Sequence, residues 1–229
     1  MTVTDLGSRA RRNLSAAFVA CALATLTLLA NHPGSGAHTF AELLKAEASS
    51  QRIDAIVHGG FIAILSALTV CFVFLARHLG QEKVPVVIGL VALCIGTGTM
   101  IASMVVDGLV IPEIATRFAG SVAPDQIASA RTIFVLCGAL IRFLMPMALA
   151  FQAVAMLGFS SAWLVQPRKR VPGIYGLLVG TLLIVALLIV PAPLLDHLLM
   201  LSIVLQAIWY LAIAVALRAK SAEGRAPKI

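Results

Sequence analysis

Charge is what this 229-residue sequence has least of: Lys, Arg, Asp and Glu together make up 12% of it, against 60% hydrophobic residues and a mean hydropathy of +1.01. A soluble domain carries about 25% charged residues because its water-facing surface needs them. A soluble globular domain is therefore excluded, and a membrane protein is implied. Aromatic residues are also sparse, at 6%, and no run of Lys and Arg is interleaved with them. The net charge of +7 is thus not a nucleic-acid-binding surface, and no nucleic-acid partner is expected. There is no C-x-x-C, H-E-x-x-H, G-x-S-x-G or Walker loop, and no lysine in the middle of an apolar run. The cysteines (Cys21, Cys71, Cys94 and Cys137) all fall inside apolar runs, where a thiol behaves as a small hydrophobe. A disulfide-exchange role is disfavoured accordingly.

What is present is a series of long apolar runs. About 20 helical residues cross a bilayer core, and six segments qualify: about 14–30, 53–75, 84–106, 133–165, 174–190 and 194–217. The expected fold is all-α, a polytopic bundle of six transmembrane helices forming a single transmembrane domain over 1–229. The fourth run is too long for one upright span. It either projects from the bilayer or bends at Pro146, which removes a backbone donor. The first run has the basic start of a signal peptide, but it is longer than a signal core and reads as a retained helix.

Charge placement sets an expected direction. Arg9, Arg11, Arg12, Arg77, Lys83, Arg168, Lys169, Arg170, Arg218, Lys220, Arg225 and Lys228 share one side of the bundle with only Asp5, Glu82 and Glu223. By the positive-inside rule that side is cytoplasmic, both termini included, in a multi-pass protein of the cell inner (plasma) membrane. Trp163, Tyr175, Trp209 and Tyr210 fall in the inner halves of spans, as an aromatic belt would. On the outer side, Thr39 and Glu42 have capping-box spacing, so a short amphipathic helix is expected in the first outer loop, lying on the membrane surface.

Ionisable residues near the outer leaflet need a reason, since each costs at least about 2.5 kcal/mol at the bilayer centre. They are Asp54, His58, Asp107, Arg142 and the Asp196–His197 pair. Asp54 and His58 are four apart and share a helix face. A carboxylate and an imidazole so placed suit a transition metal or a proton relay, or cap a helix at the water boundary. Asp107 and Arg142 lie at similar depth on adjacent spans and are natural counter-ions, either bridging the third and fourth helices or holding an anionic ligand. Of the adjacent pair, His197 is expected to point into the bundle and Asp196 to favour a helix start. His32 and His38, in the first outer loop, could lid a metal site with His58 and His197. Gln152 and Gln206 lie deep in spans and should hydrogen-bond across helices.

Three functional readings follow. In the first, Asp54, His58, Asp107, Arg142 and His197 line an outward-facing pocket that binds or transports a small polar ligand or ion. In the second, the chain is a membrane redox enzyme. There Asp54, His58 and His197 hold a transition metal, or His58 and His197 are axial ligands of a b-type haem. In the third, it is an accessory subunit of a membrane complex or a homo-oligomer, consistent with short loops and many packing glycines.

Overall fold

The structure is a computed structural model, and it describes residues 7–32, 37–121, 123–165, 170–191 and 194–219. The basic residues Arg168, Lys169, Lys220, Arg225 and Lys228, the acids Asp5 and Glu223, and the side chain of Asp196 lie outside the described residues. The helices are α1 (Ser8–Ala30), α2 (Phe40–Leu79), α3 (Val84–Val105), α4 (Ile111–Phe118), α5 (Pro124–Leu164), α6 (Val171–Ile189) and α7 (Leu195–Arg218). A π-helical turn, Val106–Val110, joins α3 to α4 without a break. There is no strand among the described residues, and six helices are long and apolar enough to cross a membrane. The chain is a multi-pass membrane protein by these lengths and compositions.

Local chemistry explains where the helices begin. Proline stands in the first turn of α3, α5 and α6, where its missing N–H costs nothing. Thr39 and Glu42 form the capping box expected of them: Thr39 Oγ accepts from the Glu42 N–H, and Glu42 Oε2 accepts from the Thr39 N–H. The helix they start does not end before the second span, however. It runs on for 40 residues, because nothing between Phe40 and Leu79 breaks it. The segment expected on the membrane surface is instead the projecting end of a span.

The interior is aromatic and closely packed. Phe72 stacks on Trp209 at 5.4 Å and meets Phe18 edge-on at 5.2 Å. Trp163, Trp209 and Tyr210 are buried in this core rather than ringing the bundle as a belt. Glycines bring α3 against α5: a Cβ on Gly96 would lie 3.1 Å from backbone atoms of Ala148 and Gln152, and one on Gly158 2.8 Å from the backbone of Gly89. Ser15 donates to the carbonyl of Ala214 (2.8 Å) and accepts from Arg218 Nε (2.9 Å), tying the start of α1 to the end of α7. The Gln206 amide donates to Gln152 Oε1 at 3.1 Å, the cross-helix bond expected of that pair.

Depth follows from helix rise. A core of about 30 Å takes about 20 residues. Counted from Leu79, α2 leaves the core near His58; counted from Val84, α3 leaves it near Met104; counted from Leu164, α5 leaves it near Met145. The long fourth run lies within α5, one helix of 41 residues with Pro146 inside it, which is longer than a core of about 30 Å requires. The projecting parts of α2 and α5 clasp α4 in a small cap. Leu44, Ala115 and Ala130 are its core, and Phe40 meets Phe134 edge-on at 5.4 Å. Gln51 donates to Glu113 (3.0 Å) and accepts from Thr116 (3.1 Å), which holds α4 on α2. This clasp fixes the π turn against α2 at the level where α2 leaves the core.

Candidate metal centre

At that level three chain segments meet. His32 follows the end of α1, His58 lies on α2, and Asp107 lies in the π turn. Each offers one ligand atom, and these atoms all lie within 4.8 Å of one another. His58 is buried, while His32 and Asp107 are half-buried. The two imidazoles meet edge to face with ring centroids 5.0 Å apart.

His58 is held from both sides. Its Nδ1 is 3.0 Å from the backbone carbonyl of Asp54, and its Nε2 is 3.3 Å from Asp107 Oδ2. A carbonyl and a carboxylate are both acceptors, and a neutral ring has one N–H, so it can donate to only one of them. In the neutral ring the other nitrogen is a lone pair facing an acceptor, which is repulsive. Both contacts are satisfied by a second proton on the ring or, with Nδ1 donating to the Asp54 carbonyl, by a metal ion between Nε2 and Asp107. A backbone carbonyl on the far ring nitrogen is also how metal-bound histidines are commonly oriented.

The sequence around Asp107 makes this approach possible. A Cβ on Gly108 would overlap the ring of His58, so only glycine lets the π turn lie against it. The π turn itself inserts a residue into the helix, and such turns recur at functional sites. Asp54 lies a turn before His58 and is buried, and its carboxylate accepts from Ser50 Oγ. Asp54 thus supports the cluster through its carbonyl, and its carboxylate is not one of the three grouped ligand atoms. Farther out, burial raises the Glu47 carboxyl to about 6, helped by the charges of Asp54 and Asp107 and opposed by His58.

The remaining expected residues lie elsewhere. Arg142 is exposed on the outward face of α5, and no ion pair among the described residues includes it. The expected Asp107–Arg142 bridge is replaced by His58–Asp107, because the π turn presents Asp107 to α2. His197 is exposed near the start of α7 and is not in the group. That leaves the haem reading without its second axial ligand, and the 5.0 Å spacing of the His32 and His58 rings leaves no room for a porphyrin between them. His38 is exposed in the turn before α2, where its backbone N–H donates to Glu42. No family model, no curated protein and no solved structure matches the chain.

The partner of Asp107 was the residue hardest to name from the sequence. The usable signal was Gly108 beside it, and a glycine next to an aspartate in an apolar run marks a close approach without saying to what.

Proposed function

We propose that this membrane protein binds a transition-metal ion through His32, His58 and Asp107, at the end of the bundle away from Ser8 and Ala219. The observation that carries the reading is the pair of acceptors flanking His58, with Nε2 aimed at a carboxylate and a second imidazole alongside. Ligand bonds of about 2.1 Å at tetrahedral angles place ligand atoms about 3.4 Å apart, close to the 3.3 Å between Nε2 and Oδ2. Three protein ligands leave a coordination position open to water or substrate, which suits an exchangeable or reactive ion more than a structural one. Two imidazoles and one carboxylate suit zinc, copper, iron or nickel better than magnesium or calcium. By the positive-inside argument the site faces the outside of the inner membrane, where it would meet ions from the medium.

The test is metal content. Full-length protein is purified in mild detergent, stripped with a chelator and titrated with Zn(II) and Cu(II). The expected result is one tight equivalent, lost in His58→Ala and weakened at least 100-fold in Asp107→Asn. Wild-type protein that binds no metal, or binds it equally well in both variants, would leave His58–Asp107 as an imidazolium–carboxylate pair and end the metal reading.

A further inference from the structure

The spans pack on one another in a closed ring, in the order α1, α2, α3, α5, α6, α7 and back to α1. Inside the ring lies a cavity of about 40 Å³, lined by side chains from every one of those helices except α6. Thr25, Gln152, Gln206 and Tyr210 are its polar lining, and each is no more than 7% exposed. Tyr210 Oη donates to Gln206 Oε1 (3.1 Å), and the Gln206 amide donates to Gln152 Oε1 (3.1 Å). The chain of bonds ends there. The Gln152 amide nitrogen, the second N–H of Gln206 and the Thr25 hydroxyl have no hydrogen-bond partner among the described residues. Thr27, Thr69 and Thr99 show the alternative open to a helical threonine, each returning its hydroxyl to the carbonyl four residues before it. Thr25 makes no such bond. By helix rise, Gln152 is about 18 Å from the Leu164 end of α5 and Gln206 about 18 Å from the Arg218 end of α7, near the middle of a core of about 30 Å. Apolar clusters lie on both sides of this polar layer: Val57, Phe61, Met104 and Leu149 toward His58, and Phe18, Phe72 and Trp209 toward the opposite end.

We propose that this cavity is a binding site for small uncharged molecules that both donate and accept hydrogen bonds, with water as its resident guest. Size, charge and hydrogen bonding each select that class. A water needs about 10–15 Å³ of such space, so the cavity takes two or three waters, or one guest of about three non-hydrogen atoms. No Asp, Glu, Lys, Arg or His lines it, so an ion there would have no counter-charge in the part of the bilayer where charge costs most. An apolar guest would leave the amides and the Thr25 hydroxyl unpaired, which buried polar groups tolerate poorly. Water accepts from amide N–H groups and donates to hydroxyl oxygens, and both kinds of partner line this cavity. Reversing both amides would turn the free donors of Gln152 into acceptors, and water satisfies either arrangement. Between its two apolar layers the guest is held apart from the water on both sides of the membrane. The site stands independently of the metal reading, since none of His32, His58 and Asp107 lines the cavity.

Water itself, carrying oxygen-18, is the probe. The full chain in lipid nanodiscs is equilibrated with labelled water and given a brief X-ray pulse, which splits water into hydroxyl radicals that oxidise the side chains touching it. Met100, Met104 and Tyr210 line the cavity and are readily oxidised, whereas Trp163 is fully buried, equally oxidisable and outside the lining. The expected result, read by mass spectrometry, is oxygen-18 on the cavity-lining side chains and none on Trp163. Gln152→Leu with Gln206→Leu keeps the volume and removes the amides, and it should lower the labelling roughly tenfold, because a buried water needs polar partners. Labelling of Met100, Met104 and Tyr210 no greater than that of Trp163 overturns the inference. So does labelling that is unchanged in the leucine variant, since the amides would then hold no guest. Thr25→Val, which keeps the shape and removes only the hydroxyl, should lower the labelling in the same direction, and it decides the matter if the leucine variant does not fold.

Discussion

Gly108→Ala tests the geometry of the centre with a single methyl group. The added Cβ would fall more than an ångström inside ordinary contact with the His58 ring. His58 is 4% exposed. Two responses are open. The ring can swing away, which breaks its 3.0 Å bond to the Asp54 carbonyl and its 3.3 Å approach to Asp107. Alternatively the π turn can retreat, which pulls α4 from the clasp made by Gln51. Overpacking a tight interior costs about 1–3 kcal/mol, and stranding a buried polar group costs about 1–3 kcal/mol more. A loss of about 3 kcal/mol is expected, together with metal affinity at least 100-fold weaker, since a displaced His58 can no longer share an ion with Asp107. Gly59→Ala is the control. It sits beside His58 on α2, a Cβ there meets nothing within 4 Å, and Ala for Gly inside a helix is stabilising by about 0.5–1 kcal/mol. Chemical denaturation in mixed micelles and metal titration of both variants provide the comparison. If Gly108→Ala matches Gly59→Ala in stability and metal affinity, the close approach of the π turn to His58 is wrong.

Other consequences can be checked separately. Glu47 titrates at about 6 in the folded chain against an ordinary 4.5, so folding takes up a proton between those values, and stability falls as pH rises through that window. Glu47→Gln should therefore leave the metal-free protein unchanged in acid and stabilise it above pH 6 by about 1 kcal/mol, a figure reduced because the group is only half-buried; melting curves on both sides of the window show it, and equal shifts at both would refute it. Gln152→Leu and Gln206→Leu, with the double variant, should give a coupling of about 0.6 kcal/mol and no more than about 1.7, the range for hydrogen bonds between membrane helices; a coupling of zero would mean the amides do not meet. Arg142→Gln should leave folding and metal binding as in wild type, because the arginine is exposed on α5 and belongs to no described ion pair. A variant that loses metal would place Arg142 back in the site.

Much of the architecture is legible without coordinates because a bilayer imposes it. Every backbone polar group in the core must be satisfied within its own helix, so an apolar run of sufficient length is a helix, and six such runs are six spans. The Thr39–Glu42 cap was equally readable, since it depends only on residues three apart. Depth can be counted along an apolar run, and that places Asp54, His58, Asp107 and Arg142 at similar level near one end of the bundle. Facing cannot be counted in the same way. Asp107 was paired with Arg142 by depth and opposite charge, whereas in the fold it turns to His58. A π turn adds a residue and rotates everything after it by roughly 100° relative to the α-helical phase. His197 was expected to point inward on the same kind of reasoning and is exposed instead. The aromatic side chains expected as a belt pack the core for a related reason: their depth could be read, but their side of the helix could not.

The sequence by itself determined the class of solvent, the number of spans and the Thr39–Glu42 cap, because these follow from composition and from contacts a few residues apart. The tertiary structure alone decided which of the ionisable side chains meet. That choice depends on how α1, α2 and the π turn lie against one another, through the absence of a side chain at Gly108 and a clasp between residues 62 and 65 positions apart, and distances of that kind leave no periodic trace in the chain.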